Sequence, residues 1–116
     1  AYLSPMNLKD SIKAKLDDFI TLCQAHHVKN LYAFGSSITD SFNEETSDID
    51  LLIEIDQEDP IERGESLMSI WDKLESFFQR KVDLLTYSSI KNPILKKNID
   101  SSKILIYDGN EQKVSI

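Results

Sequence analysis

From Asp48 to Ile55 the chain reads Asp-Ile-Asp-Leu-Leu-Ile-Glu-Ile, and this run limits the possible folds more than any other. Ile49, Leu51, Ile53 and Ile55 recur at every second position, the side-chain period of a β-strand, so they line one face while Asp48, Asp50 and Glu54 share the other. Such a strand belongs to a sheet that is apolar against helices on one side and acidic on an open side. Carboxylates two positions apart on one strand have Cα atoms roughly 6–7 Å apart and converge on a common point in front of the sheet. That arrangement suits a shared Mg²⁺, a hard cation that prefers carboxylate oxygens.

Upstream, Leu31-Tyr32-Ala33-Phe34 reads as a short buried strand that ends in Gly35-Ser36. Glycine there lets the backbone approach a ligand closely. A short helix starting just after Gly35 would aim its free N–H groups at a phosphate, with the Ser36 and Ser37 hydroxyls adding hydrogen bonds. Taken singly, Gly-Ser after a strand is commonly a turn and Asp-x-Asp a solvated strand face. The conjunction is more specific. An apolar strand, Gly-Ser, a spacer of eleven residues, then Asp-Ile-Asp opening an alternating strand resembles the signature of the polymerase β-like nucleotidyltransferases, in particular their small, stand-alone minimal nucleotidyltransferase branch. The family also expects a third carboxylate at the start of a later strand, and Lys81-Val82-Asp83-Leu84-Leu85-Thr86 offers Asp83. One departure is visible: many relatives carry Ala-Arg-Gly after the Gly-Ser, where this chain has Ile38-Thr39-Asp40, which removes a basic residue from the vicinity of the phosphates.

At 116 residues the chain is expected to form one domain, residues 1–116, large enough for a modest core and too small for two. Hydrophobic residues make up 41% and charged ones 28%, the balance of an ordinary globular domain. No apolar run approaches the ~20 residues of a membrane span and no basic-then-apolar signal pattern opens the chain, so the expected location is cytoplasmic and no membrane partner is expected. A net charge of −7 argues against general nucleic-acid binding, which needs clustered Lys and Arg. The single cysteine, Cys23, excludes an internal disulfide and falls on an apolar helical stripe, so it reads as a core residue.

The rest of the chain reads as scaffold. Leu8, Ile12, Leu16, Phe19, Ile20 and Cys23 recur at helical spacing, predicting one amphipathic helix from about Met6 to His26. The His26-His27 pair at its end is explained by the helix dipole; adjacent helical residues diverge and do not share a metal. Asp59 as N-cap and Pro60 at the first position start a helix reaching about Phe78, with Leu67, Ile70, Trp71, Leu74, Phe77 and Phe78 as its apolar stripe. Gly64 is expected to weaken the first turn. In the strand Val82 to Thr86, Asp83 lies between apolar neighbours, where burial of an unpaired carboxylate is costly and a metal would justify it. Asn92-Pro93 caps a short helix through about Asp100, and Lys103 to Tyr107 forms a last strand ended by Asp108-Gly109. Lys91, Lys96, Lys97 and Lys103 form a basic cluster, read first as a solvated helix face, with Lys96 or Lys97 as candidates to meet a triphosphate or a partner.

The expected fold is therefore α/β, and the resemblance implies a single-domain polymerase β-like palm with a mixed sheet of about four strands and helices packed on one face. It also implies the chemistry: AMP moved from ATP, or another NMP from its NTP, to a hydroxyl. Asp48, Asp50 and Asp83 would be the catalytic and metal-ligating residues for two Mg²⁺ ions, with Gly35, Ser36 and Ser37 at the phosphates. The implied acceptor is a tyrosine on a helical HEPN-type toxin encoded nearby, which makes the chain the antitoxin of the pair. Two alternatives stay open, an antitoxin that neutralises its partner by contact alone and a subunit of a small-molecule nucleotidyltransferase. The sequence leaves strand order, base preference and any homo-oligomer undecided.

Overall fold

The computed structural model describes residues 8–35 and 49–116. Helices α1 (Leu8–Ala14) and α2 (Leu16–Ala25) lead into strand β1 (Val28–Phe34), and β2 (Ile49–Ile55) is followed by α3 (Pro60–Phe78) and β3 (Val82–Thr86). A 3₁₀ turn (Tyr87–Ser89), α4 (Pro93–Ser102), β4 (Ile104–Asp108) and the two-residue β5 (Lys113–Val114) complete the order. The five strands form one mixed sheet in the order β3-β2-β1-β4-β5, with β2 and β3 parallel and the other neighbours antiparallel. This is the expected α/β sheet with a fifth, edge strand added. The parallel β2–β3 pair requires a crossover, which α3 supplies.

Alternation works as the sequence predicts. Ile49, Leu51, Ile53 and Ile55 of β2 join Leu31 and Ala33 of β1, Val82 and Leu84 of β3, and Ile106 of β4 in the main core under α1, α2 and α3. Phe19, Phe77 and Phe78 clasp α2 to α3, with ring centroids 5.0–6.3 Å apart. The opposite sheet face, expected to be open, holds a smaller cluster, Phe34 and Leu52 under Ile90 and Ile99, which seats α4, so helices pack on both faces and not on one. Cys23 is fully buried, and burial pushes its thiol up to about 12, so it is a packing residue and not a nucleophile.

The helix expected from about Met6 to His26 is two. Lys15, with φ −135° and ψ 51°, leaves the helical region between α1 and α2, while Ile12 and Phe19 on either side both reach full burial. Leu16, expected in the apolar stripe, is instead 39% exposed. No Gly or Pro marks the break, so periodicity passes straight across it. His26 does more than close the helix: its Nδ1 donates to the Leu22 carbonyl and its Nε2 meets the Ser69 hydroxyl, each at 2.9 Å, which ties α2 to α3.

The helix starts are as read. Asp59 accepts from the Ile61 N–H at 3.0 Å before Pro60, and Asn92 accepts from the Ile94 and Leu95 N–H groups before Pro93. At the other edge of the fold, Gly109 donates to the Lys29 carbonyl at 2.8 Å, and a Cβ on it would collide with the Val28 and Lys29 carbonyl oxygens. Glycine there lets the β4–β5 turn close onto the start of β1, which begins at Val28, three residues earlier than the apolar run from Leu31 suggests.

Candidate active site

Three sequence-singled residues meet at one end of the sheet. Gly35 follows the last residue of β1, Asp50 is the second residue of β2, and Asp83 is the second of β3. Asp50 is the register partner of Phe34 on one side and of Asp83 on the other. Because directly paired residues of adjacent strands point to the same face, Asp50 and Asp83 project side by side from the face that also carries Leu52, Leu85 and Glu54. Gly35 lies against Asp50. It has φ +68°, in the left-handed region, and a Cβ on it would stand 2.5 Å from Asp50 Oδ2, so both its conformation and its surroundings require glycine. Asp50 is half-buried and Asp83 exposed. The burial cost that Asp83 was expected to carry is therefore absent; its carboxylate sits at the surface, open to a ligand.

Asp48, Ser36 and Ser37 fall outside the described residues, so the full set of expected carboxylates and phosphate contacts is not described. Among the described residues no three His, Cys, Asp or Glu side chains group as a metal site. Asp50 and Asp83 are nonetheless hard oxygen donors in adjacent strands, the donor type a Mg²⁺ site uses. Glu54, four positions along β2, takes no part: it pairs with Lys29 at 3.7 Å and accepts from Asn30 at 3.2 Å.

The support of Asp83 was missed by sequence reasoning. Val82, immediately before it, has both backbone groups held by α3: its N–H donates to Glu75 Oε2 at 3.0 Å and its carbonyl accepts from Trp71 Nε1 at 2.7 Å. On the inner side, the Ile49 N–H donates to the Lys81 carbonyl at 3.1 Å. Trp71 and Glu75 thereby satisfy the outer backbone groups of β3 at Val82 and help hold Asp83 in register with Asp50. The signal was present in the sequence, since a half-buried indole N–H needs an acceptor and Glu75 is one turn further along α3, but nothing in the sequence points to Val82 as their shared target.

The basic cluster is not simply a solvated face. Lys96 Nζ stands 4.2 Å from the centre of the Tyr87 ring, and Lys103 Nζ lies 4.6 Å from that of Tyr32 and is bonded to Asp100 at 2.9 Å. Both sit toward the far end of β3 from Asp83, with the Leu52 and Leu85 register pair between.

Residues 16–106 match the model of the nucleotidyltransferase domain family. The chain belongs to that family. Two proteins of Methanocaldococcus jannaschii, named provisionally as protein adenylyltransferases, are 38% identical over 70% of this chain and 79% of their own, and 39% identical over 73% and 83%. In fold, this nucleotidyltransferase is similar to a structure named as a minimal nucleotidyltransferase, with a TM-score of 0.58 at 21% identity over 88% of this chain and 98% of that one. It is also similar to a chain of a toxin–antitoxin complex with AMP-PNP, with a TM-score of 0.55 at 21% identity over 81% and 73%. The fold expected from the resemblance, an α/β minimal nucleotidyltransferase, is the one observed. Among the described residues no helix is long and apolar enough to cross a membrane.

Replacing Asp83 with Asn tests whether this carboxylate is structural. It is exposed beside Asp50, so removing its charge relieves like-charge repulsion, and the apo variant is expected to melt within about 0.5 kcal/mol of wild type or above it. A loss of several kcal/mol in thermal melts would make Asp83 a structural residue.

Proposed function

We propose that this nucleotidyltransferase moves AMP from ATP to a hydroxyl of a partner protein, a tyrosine of a HEPN-type toxin, and thereby acts as an antitoxin. The observation that carries the reading is the side-by-side placement of Asp50 and Asp83, with Asp50 against the bare Cα of Gly35. The names of the Methanocaldococcus relatives support a protein acceptor, and the toxin–antitoxin neighbour with AMP-PNP supports an adenine nucleotide and a toxin partner.

Asp50 and Asp83, with Asp48, would hold two Mg²⁺ ions, which when bound supply charge neutralisation for the triphosphate and a more acidic acceptor hydroxyl. The chain's own residues do the rest. Gly35 lets the end of β1 pass close to Asp50, and Ser36 and Ser37 donate to the phosphates. The register of β2 and β3 orients both carboxylates before substrate arrives, so little reorganisation is left for the reaction. Asp83, exposed at the edge strand, would receive the acceptor's proton. The bond between acceptor oxygen and α-phosphorus forms as pyrophosphate leaves.

Two measurements test this. Titration calorimetry with ATP should show binding with Mg²⁺ and little in EDTA, because carboxylates and a triphosphate repel in its absence; equal binding in both would remove the metal site. Incubation with ATP, Mg²⁺ and the HEPN-type partner should add adenylyl increments to the partner in intact-mass spectra. The absence of Arg at Ile38-Thr39-Asp40 favours the second reading, a contact-only antitoxin, for which no increment appears and protection persists.

A further inference from the structure

Tyr87 opens the 3₁₀ turn after β3, is 42% exposed, and donates its hydroxyl to Asp100 Oδ2 at 2.6 Å. Asp100 also accepts from Lys103 Nζ at 2.9 Å, and the Lys96 and Lys103 ammonium groups stand 4.2 and 5.6 Å from the Tyr87 ring centre. The two hydrogen bonds hold the Asp100 carboxyl below its ordinary range, so it stays ionised, and the hydrogen bond it accepts from the phenol raises Tyr87 above the usual tyrosine value. Tyr87 therefore keeps its proton until a base takes it, and the base is already bonded. The other described tyrosines offer no such pair: Tyr107 is buried, and Tyr32 lies half-buried under Lys103.

We propose that Tyr87 is an adenylylation site, modified by the active site of a second copy of this chain. The proposal rests on the protein-adenylyltransferase reading above. A copy does not bring its own Tyr87 to its site, because the strand from Asp83 to Thr86, about 10 Å, and the turn that Tyr87 opens separate them, and the Leu52–Leu85 pair with the cluster under Ile90 and Ile99 stands between. In the step, Tyr87 Oη attacks the α-phosphorus of ATP and the bond from that phosphorus to the bridging oxygen breaks. Pyrophosphate leaves with the electron pair, and the phenolic proton passes to Asp100, which here takes the part proposed for Asp83 with a partner's hydroxyl, and then to water. Lys96 and Lys103 meet the charge of the attached phosphate. Room for the adenylyl group exists: Tyr87, Lys96, Arg63 and Gly64 line a groove of about 710 Å³, within the range of small-molecule sites.

The test incubates the wild-type chain with ATP and Mg²⁺ without any partner, followed by intact-mass and peptide mapping. One adenylyl increment on the Tyr87 peptide is expected, absent in Tyr87→Phe, and slowed roughly a hundredfold in Asp100→Asn, the usual contribution of a positioned base. Asp50→Ala, inactive as a catalyst, should still acquire the increment when mixed with Tyr87→Phe, which shows transfer between copies. An increment mapped to another residue, or one that appears in Asp50→Ala alone, overturns the proposal. If the wild type adenylylates the HEPN-type partner and leaves Tyr87 unmodified, this proposal fails and the reading above stands; if it modifies neither, both fail.

Discussion

Asp50→Ala is expected to lower adenylyl transfer to the partner about a thousandfold or more while leaving the fold intact. Asp50 lies between Phe34 and Asp83 in the sheet and faces Gly35, so it neighbours both of the other described site residues. On the proposed reading Asp50 holds the catalytic cations; losing such a ligand removes several kcal/mol of transition-state stabilisation, and ~4 kcal/mol already corresponds to about a thousandfold in rate. Asp48→Ala should behave alike. If Ser36 donates to the phosphates as proposed, Ser36→Ala should cost less, about 1–3 kcal/mol, the worth of one hydroxyl hydrogen bond. Single-turnover transfer followed by intact mass measures each of these. The same variants separate the two antitoxin readings, since protection of cells that survives Asp50→Ala would make contact, and not catalysis, the basis of neutralisation.

Gly35→Ala is expected to cut transfer by about a hundredfold or more at a modest cost in stability. A methyl at this position meets Asp50 Oδ2 at 2.5 Å and Cγ at 3.4 Å, and the backbone at φ +68° strains any residue but glycine. The Asp50 carboxylate must swing away or β1 must shift, and a displacement of about 1 Å at a reacting centre costs about a hundredfold. The backbone strain adds on the order of 1 kcal/mol, seen in a thermal melt. Gly64→Ala is the control for glycine chemistry alone: nothing lies within 4 Å of the added methyl, and inside a helix the change should stabilise by about 0.5–1 kcal/mol. Wild-type transfer in Gly35→Ala would mean that the close approach to Asp50 has no part in the reaction.

Local patterns were enough for much of this molecule. The alternation from Ile49 to Ile55 assigned each side chain of β2 to a face, because a strand has a period of two whatever surrounds it. Asp59-Pro60 and Asn92-Pro93 located both helix starts, since a cap is a contact within two or three residues. Features set by distant partners were not legible. The break at Lys15 carries no Gly or Pro, and β5 is two residues whose pairing to Tyr107 and Asp108 follows the Gly109 turn that closes on β1. The same division runs through the candidate site. Gly35, Asp50 and Asp83 could each be singled out from their own neighbours in the sequence, but their adjacency depends on which strands pair and in which register. That register is held by Trp71 and Glu75 through the backbone of Val82, eleven and seven residues away in the chain. A one-residue slip of β3 would turn Asp83 into the core and Leu84 outward, so the placement of the second carboxylate beside the first was decided by tertiary packing.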